Sequence, residues 1–485
     1  MTTKTNEEWV TVEGSLSPPK DVTARQKFYT NFAKYVSQIE QDALYGTFGD
    51  FDPSIFRSET AYKSFKTQSK RLSKCTNITK MEDKENSRPA RFRLKLASSE
   101  FSDPQLGLQK LVHVLVSDLF ERRVSDEPSV LKVDKVDISA LEKKFISHYR
   151  KGSWSKKQIR EAFGLKKNEP LLAFTIKPRS GLTPSDYKHI VRSTLEGGFH
   201  VVEMDTRDLD IQGSDRRRLL RELSQIALDT CSENKVRRFS ANLSGPAYAI
   251  RDVLMELHDL HQEGGRKPWM VKVDGNLDGL STIQAIRNGF GDITSLAQQP
   301  IITCYPVLKY GLIKYIPGET FVRMLALSGA DIIYPGKRPI FPIDHAIEGE
   351  ELQSSKDHYE ESRMLPGTAQ EFPLLSVAGG INIGQVHAIM ALLGGDIAFF
   401  VGGGLALSKK GLPKAAEAFT QACLIARTSF SHAEWDPQIF KDQFVPLTNI
   451  YRKGGETLPK EFEYFNVCKL VGQTELTHEP DSVKS

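Results

Sequence analysis

Short apolar runs recur between residues 171 and 404, several of them ending in polar or glycine-rich residues. There are eight: LLAFTIKP from Leu171, HVVEMD from His200, RRFSANLSG from Arg237, WMVKVDGN from Trp269, PIITCYPV from Pro300, ADIIYPG from Ala330, PLLSVAGG from Pro373 and IAFFVGGG from Ile397. Helix-like stretches such as SDYKHIVRSTLEGG and PGETFVRMLALSGA lie between most of them. Strands alternating with helices predict a parallel sheet, and eight repeats predict an α/β fold in which residues 165–430 close into a (β/α)₈ TIM barrel. Active sites of such barrels sit at the carboxyl ends of the strands, and phosphate is commonly held by the loops after strands seven and eight. Those two loops read Ala378-Gly379-Gly380 and Gly402-Gly403-Gly404.

At 485 residues the chain is too long for a barrel alone, so a second domain is expected. Residues 25–164 predict a small α+β domain, with an alternating strand RFRLKLAS from Arg91, an amphipathic helix over Leu106 to Phe120 and a second alternating strand VLKVDKVDI from Val130. A polar, mostly basic stretch near 63–90 reads as a solvated insertion. Residues 1–24 have little to bury and read as a disordered tail, and 431–485 as a polar C-terminal extension.

Composition narrows the function classes. An excess of four positive charges is too small to argue for nucleic acid. The apolar runs are far shorter than the ~20 residues that cross a bilayer, so no membrane partner is expected. The polar N-terminus has no secretory pattern, and Cys75, Cys231, Cys304, Cys423 and Cys468 are scattered singly, which fits reduced thiols and a cytoplasmic location.

The candidate chemistry lies at the strand ends. Lys177 follows the first barrel strand beside Arg179. A partly desolvated amine there can take a proton next to a carbonyl, or it can simply bridge the barrel rim as an ion pair. Glu203 and Asp205 point the same way by strand alternation. Two converging carboxylates suit Mg²⁺, and they equally suit a buried ion network with Lys177, Arg179 or Lys272. Asn242 and Lys272 are further candidates for oxyanion or metal contact, although an asparagine at a strand end is also a common turn cap. The glycine clusters predict a phosphate site, because such turns expose backbone N–H groups.

These residues together resemble the large subunit of ribulose-bisphosphate carboxylase over residues 25–430. TIKPRSGL is similar to that family's first-strand lysine motif, EGGFHVVEMD to its metal motif, LLSVAGGI to its seventh-strand turn and FFVGGGL to its eighth. The resemblance implies a ferredoxin-like N-terminal domain, a C-terminal barrel and a homodimer whose active site is shared between subunits. IEQDALYGTF resembles the segment lent to the neighbour, which implies that Asp42, Thr47 and Phe48 reach the partner's barrel. It assigns Gly380, Gly402, Gly403 and the partner's Thr47 to one phosphate site.

The departures change the implied chemistry. Where the carboxylases carry a carbamylated lysine, then Asp and Glu, this chain has Glu203, Asp205 and Thr206. The fifth-strand His-x-His-Arg run is replaced by Thr303-Cys304-Tyr305-Pro306, the sixth-strand histidine by Tyr334 and the seventh-strand serine by Ala378. One of two phosphate sites is thereby lost. Lys337, in the rewritten sixth loop, does not match the loop's closing lysine. The chain is thus similar to the carboxylase-like proteins, which keep the fold and lose carboxylation. The expectation is an enolising isomerase or tautomerase on a small phosphorylated ketose or sugar acid, with Mg²⁺ as the implied cofactor. The alternative is a non-catalytic homologue that binds a phosphometabolite or serves as a scaffold.

Overall fold

The computed structural model describes residues 8–45, 58–61, 63, 72–78, 88–101, 103, 107–115, 131–142, 145, 153–178, 181–205, 213–232, 235–243, 247–262, 268–275, 279–289, 299–305, 317–335, 373–379, 381, 383, 386–406, 408 and 411–429. They fall into two compact units, Met1–Lys151 with Leu308–Ser328, and Gly152–Val307 with Gly329–Ser485. The C-terminal extension expected at 431–485 lies outside the described residues.

In the first unit, β1 (Trp9–Leu16), β2 (Ser73–Asn77), β3 (Ala90–Ala97) and β4 (Leu131–Asp137) form an antiparallel sheet in the order β2-β3-β1-β4. The period of two in ARFRLKLA buries Phe92, Leu94 and Leu96 and turns Arg91, Arg93 and Lys95 away. Helix α1 (Val22–Tyr45) places Phe28, Phe32 and Val36 on one buried stripe and packs on β2 and β3. Helix α2 (Gly107–His113) realises part of the helix expected over Leu106 to Phe120.

The first unit departs from the sequence-based expectation at two places. The stretch 1–24, expected as a disordered tail, contains β1 and the start of α1. WVTVEGSL alternates, burying Val10 and Val12, while Glu13 on the other face accepts a 2.6 Å hydrogen bond from Arg93 on β3. The insertion at 63–90 contains β2, whose polar sequence gives no apolar alternation and which is placed by backbone pairing to β3.

The second unit is a closed parallel barrel. Its strands are β5 (Leu171–Thr175), β6 (Val201–Glu203), β7 (Arg238–Asn242), β8 (Met270–Val273), β9 (Ile301–Cys304), β10 (Ile332–Ile333), β11 (Leu374–Ala378) and β12 (Ile397–Val401), with β12 pairing back to β5. Each falls inside one of the eight apolar runs. Helices α3 (Lys156–Ala162), α4 (Pro184–Glu196), α5 (Gly213–Asp229), α6 (Ala247–Gln262), α7 (Gly279–Arg287), α8 (Gly318–Leu327), α9 (Val386–Leu393), α10 (Gly403–Ala406) and α11 (Leu412–Ser429) precede, separate or follow these strands, except between β10 and β11, where residues 336–372 lie outside the described residues. The start of α4 shows how the turn after β5 is fixed. Thr183 caps Asp186, Asp186 reaches back to Thr183, and Pro184 sits in the first turn where no N–H is needed.

The barrel core is built from inward residues near the strand starts, among them Leu171, Val201, Met270, Ile301, Ile332 and Leu374. Ile159 and Phe163, at α3 and its end, join the same cluster. Residues 152–164 therefore belong to the barrel unit, and the boundary falls at Lys151/Gly152 rather than at the expected 164/165. Asp331 staples this end of the barrel. It pairs with Arg287, and accepts from the Ile302 and Trp154 backbone N–H groups at 2.8 Å each. Helix α8, which follows β9 in sequence, groups with the first unit: Thr320 Oγ1 donates to the Val136 carbonyl at 3.3 Å, and Arg323 pairs with the buried Glu142.

Candidate active site

The strand ends surround a cavity of about 270 Å³ whose charged walls are Lys177, Glu203, Asp205 and Lys272. Each position follows from strand periodicity. On β6, Val201 enters the barrel core, so Glu203 and Asp205, two and four residues later, face the same interior. On β8, Met270 is in the core and Lys272 follows by the same rule. On β5, Leu171 and Ala173 point inward, which brings Thr175 and then Lys177 to the cavity wall.

The four charges form two pairs. Thr175 is in register with Glu203, so Lys177, two residues on, meets Asp205 across adjacent strand ends and donates to its carboxylate. Glu203 and Lys272 lie two strands apart, and the intervening inward residue on β7 is the small Ser240, in register with Glu203. Across that gap Lys272 Nζ donates to Glu203 Oε1 at 2.7 Å, with both side chains 3% exposed. The Thr303 hydroxyl, 3.2 Å from Ser240 Oγ, also bonds the Glu203 carboxylate.

Burial pushes the Glu203 carboxyl up from its ordinary value, against the pull of Lys272 and Thr303. For Lys272 burial acts in the opposite sense, disfavouring the ammonium, but Glu203 and Asp205 outweigh it and hold the amine above the usual lysine range. Lys272 is therefore a permanently charged group at neutral pH. Its Nζ lies 5.5 Å from the centroid of the Tyr305 ring, and Tyr305 stacks on Tyr334 with centroids 4.8 Å apart and planes 13° from parallel. Tyr305 and Tyr334 thus stand at two positions where the resemblance would place histidines.

Glycines shape the far wall. Gly379 has φ of 85°, a conformation that favours glycine at the turn after β11. At Gly402 an added Cβ would approach Lys177 Cε to 3.2 Å, so this glycine makes room for the lysine stem whether or not phosphate binds beside it. Gly402 and Gly403 line the cavity at the start of α10.

Of the residues singled out in the sequence, the structure brings together Lys177, Lys272, Glu203, Asp205, Gly402 and Gly403. Asn242 is not among them. It is fully buried at the end of β7, its backbone carbonyl accepts from Arg216 at 2.9 Å, and it does not line the cavity. Arg179, Lys337, Gly380 and Thr47 lie outside the described residues. Sequence reasoning passed over Thr175, Ser376 and Phe400, all on the cavity wall. The period of two could have found them, since Ser376 and Ala378 follow Leu374, and Phe400 follows Ala398, on the inward face.

The described donors do not fit a resident Mg²⁺. Both carboxylates are bonded to ammonium groups, and no three His, Cys, Asp or Glu side chains converge among the described residues. A divalent ion competing for these oxygens would meet two cations already in place. Two unit charges ~4 Å apart repel by about 4 kcal/mol at an effective dielectric of ~20, and a divalent charge doubles that.

No protein-family model and no curated protein matches the sequence. Solved structures do. Octameric ribulose-1,5-bisphosphate carboxylase/oxygenase (Rubisco) from Pyrococcus horikoshii OT3, in complex with sulfate ion, aligns over 97% of this chain and 94% of its own, with a TM-score of 0.68 and 14% identity. Dimeric archaeal Rubisco from Hyperthermus butylicus aligns over 96% of this chain and 98% of its own, with a TM-score of 0.67 and 15% identity. A Rubisco-like protein (MtnW) from Alicyclobacillus acidocaldarius covers 91% of this chain and 98% of its own, with a TM-score of 0.65 and 16% identity. The chain has the Rubisco large-subunit fold, an N-terminal α+β domain followed by a (β/α)₈ barrel, as its motifs imply. Within that fold it shares the architecture both of carboxylases and of a Rubisco-like protein. Among the described residues no helix is long and apolar enough to cross a membrane.

Proposed function

We propose that the protein is a Rubisco-like enolising enzyme, an isomerase or tautomerase acting on a small phosphorylated ketose or sugar acid. The observation that carries this reading is the Lys177–Asp205 pair on the wall of a metabolite-sized cavity. Transfer of a proton from Lys177 Nζ to the Asp205 carboxylate exposes an amine lone pair. That lone pair takes the proton from the carbon next to the substrate carbonyl, the ammonium so formed returns it at the neighbouring atom, and Asp205 then gives its proton back to Lys177. The negative charge that develops on the carbonyl oxygen is met by the fixed positive charge of the cavity. A fully buried ion pair and a partly buried one add little stability over apolar packing, so their presence around an open cavity favours a ligand-handling role.

One phosphate is placed at Gly402 and Gly403, and the Tyr305–Tyr334 stack leaves no cationic cradle for a second among the described wall residues. Carboxylation in the Rubisco manner is not proposed, because Glu203 stands where the carbamylated lysine would be and a carboxylate cannot take up CO₂. In keeping with the dimeric Rubisco of the same fold, a homodimer is proposed in which Thr47 of a second copy completes the phosphate site.

A second reading, a non-catalytic homologue that binds a phosphometabolite, is favoured by one observation: all four charged side chains on the wall already have opposite partners. A thermal-shift screen of the full-length protein against phosphorylated ketoses and sugar acids, with dephosphorylated controls, tests the substrate class. A ligand at 100 times its Kd stabilises by about 2.7 kcal/mol, well within detection. Stabilisation confined to monophosphates supports the proposal, whereas equal response to dephosphorylated controls removes the phosphate from it.

A further inference from the structure

We propose that Lys272 takes the place of a divalent cation in this site: its ammonium, clamped by Glu203, is the fixed positive charge to which the substrate's enolate oxygen binds, and the site works without a metal. The inference rests on the enolising reading above and deepens it by naming the group that stabilises the intermediate.

Lys272 interrupts the otherwise apolar strand MVKV, all four residues of which are buried. Stability does not account for it, because a methionine or leucine there would pack without the cost of desolvating an ammonium and its carboxylate partner. The lysine is instead aimed. Glu203 Oε1 receives one of the three ammonium N–H donors at 2.7 Å, Tyr305 offers a ring face 5.5 Å away, and the side chain lines the cavity beside Lys177 and Asp205. A lysine free to move would be a poor electrophile, since its charge would have to be reoriented as the oxyanion develops. One held between a carboxylate and an aromatic face is preorganised. The two lysines then divide the work: Lys177 moves the proton, and Lys272 keeps its own and balances the charge on oxygen. No proton, electron or leaving group passes through Lys272, so the step balances without a further reactant.

The inference also explains the pattern of the two carboxylates. Glu203 and Asp205 stand like metal ligands at the barrel mouth, yet each is spent on an ammonium. Removing Lys272 should uncover the latent metal site they form. The test is a titration of the full-length protein with Mn²⁺, read by electron paramagnetic resonance. Wild type is expected to bind no Mn²⁺ up to roughly 1 mM, while Lys272→Gln binds at least about tenfold tighter and Lys272→Gln/Glu203→Gln loses the gain. Wild type that binds Mn²⁺ below roughly 100 μM, with loss in Glu203→Gln, overturns the inference, and this arm needs no lysine variant to fold. A folded Lys272→Gln that binds no better than wild type overturns it as well, and Lys272→Met serves if the glutamine variant does not fold. The two readings fail separately. Wild-type Mn²⁺ binding alongside substrate hydrogen exchange sinks the metal-free cation and keeps enolisation, whereas Mn²⁺ exclusion without exchange leaves Lys272 in the cation's place but sinks enolisation and, with it, the enolate-binding role of Lys272.

Discussion

Neutralising Lys272 alone should destabilise the barrel far more than neutralising Lys272 and Glu203 together. Both side chains are 3% exposed and their charged atoms are 2.7 Å apart. At an effective dielectric of ~20 the attraction at that distance is about 6 kcal/mol, a gross value that desolvation of both ions largely offsets. Lys272→Met removes the attraction and leaves a buried carboxylate, so the expected loss is about 3–5 kcal/mol. Glu203→Gln, which strands the ammonium, should cost about as much. In the double variant nothing charged is stranded, and the loss should fall to about 1–2 kcal/mol, giving a coupling energy of at least about 4 kcal/mol. The assay is urea unfolding of the four proteins at pH 7. A pH series adds a sign. Burial already raises the Glu203 carboxyl, and without Lys272 it rises further. A raised folded value means stability that is intact below the unfolded carboxyl range and lost as pH rises through the folded value. Lys272→Met should therefore recover toward acid pH and weaken above it, by up to about 1.4 kcal/mol per pH unit. Single-variant losses below about 1 kcal/mol, or a double variant equal to the sum of the singles, would refute the reasoning.

Other expectations follow from neighbouring groups. Lys177→Met should lower turnover by about 10²–10⁴-fold with a stability loss of at most about 2 kcal/mol, since Lys177 is partly exposed; turnover within a few-fold of wild type would take Lys177 out of the mechanism. Gly403→Asp puts a carboxylate where the phosphate is placed and should weaken a phosphorylated ligand by about tenfold or more in calorimetry, with unchanged affinity showing that the phosphate lies elsewhere. His200 accepts from the Leu172 backbone N–H at 3.0 Å and is pushed down to about 3 by burial and then by Arg237. A depressed value gives stability that is complete above about pH 6.5 and lost as pH falls toward 3, so the midpoint urea concentration should drop between pH 6.5 and pH 5, and His200→Asn should flatten that drop. An identical pH slope in the two proteins would show that other groups carry it.

The barrel was legible in the sequence because its strands are buried on both faces, so each appears as a near-continuous apolar run that needs no partner to be seen. The half-buried strands β3 and β4 were legible through their alternation. β1 alternates as well, but it lies in a stretch whose overall polarity reads as tail, and β2 holds its place by backbone pairing that leaves no side-chain signature. At the site, the facing of Glu203, Asp205 and Lys272 was readable from the period of two. The pairing of Lys272 with Glu203 was one of several partnerships left open, because it spans an intervening strand and depends on Ser240 being small enough to be crossed. Asn242 misled for a related reason: a strand-end position shows that a residue is near the mouth, and only packing decides whether it reaches the cavity. The Tyr305–Tyr334 stack joins two strands and was invisible as a unit, although each residue stood out singly.

The measurement closest to the central claim is hydrogen exchange at the carbon next to the carbonyl. A phosphorylated ketose or sugar acid that stabilises the protein is incubated with it in D₂O containing EDTA and followed by proton NMR. Loss of that one proton signal with wild type, and its persistence with Lys177→Met, is the result expected of an enolising site. A ligand that binds and stabilises wild type yet keeps the proton indefinitely, with Mg²⁺ or without, would contradict it and identify a binding protein in place of an enzyme.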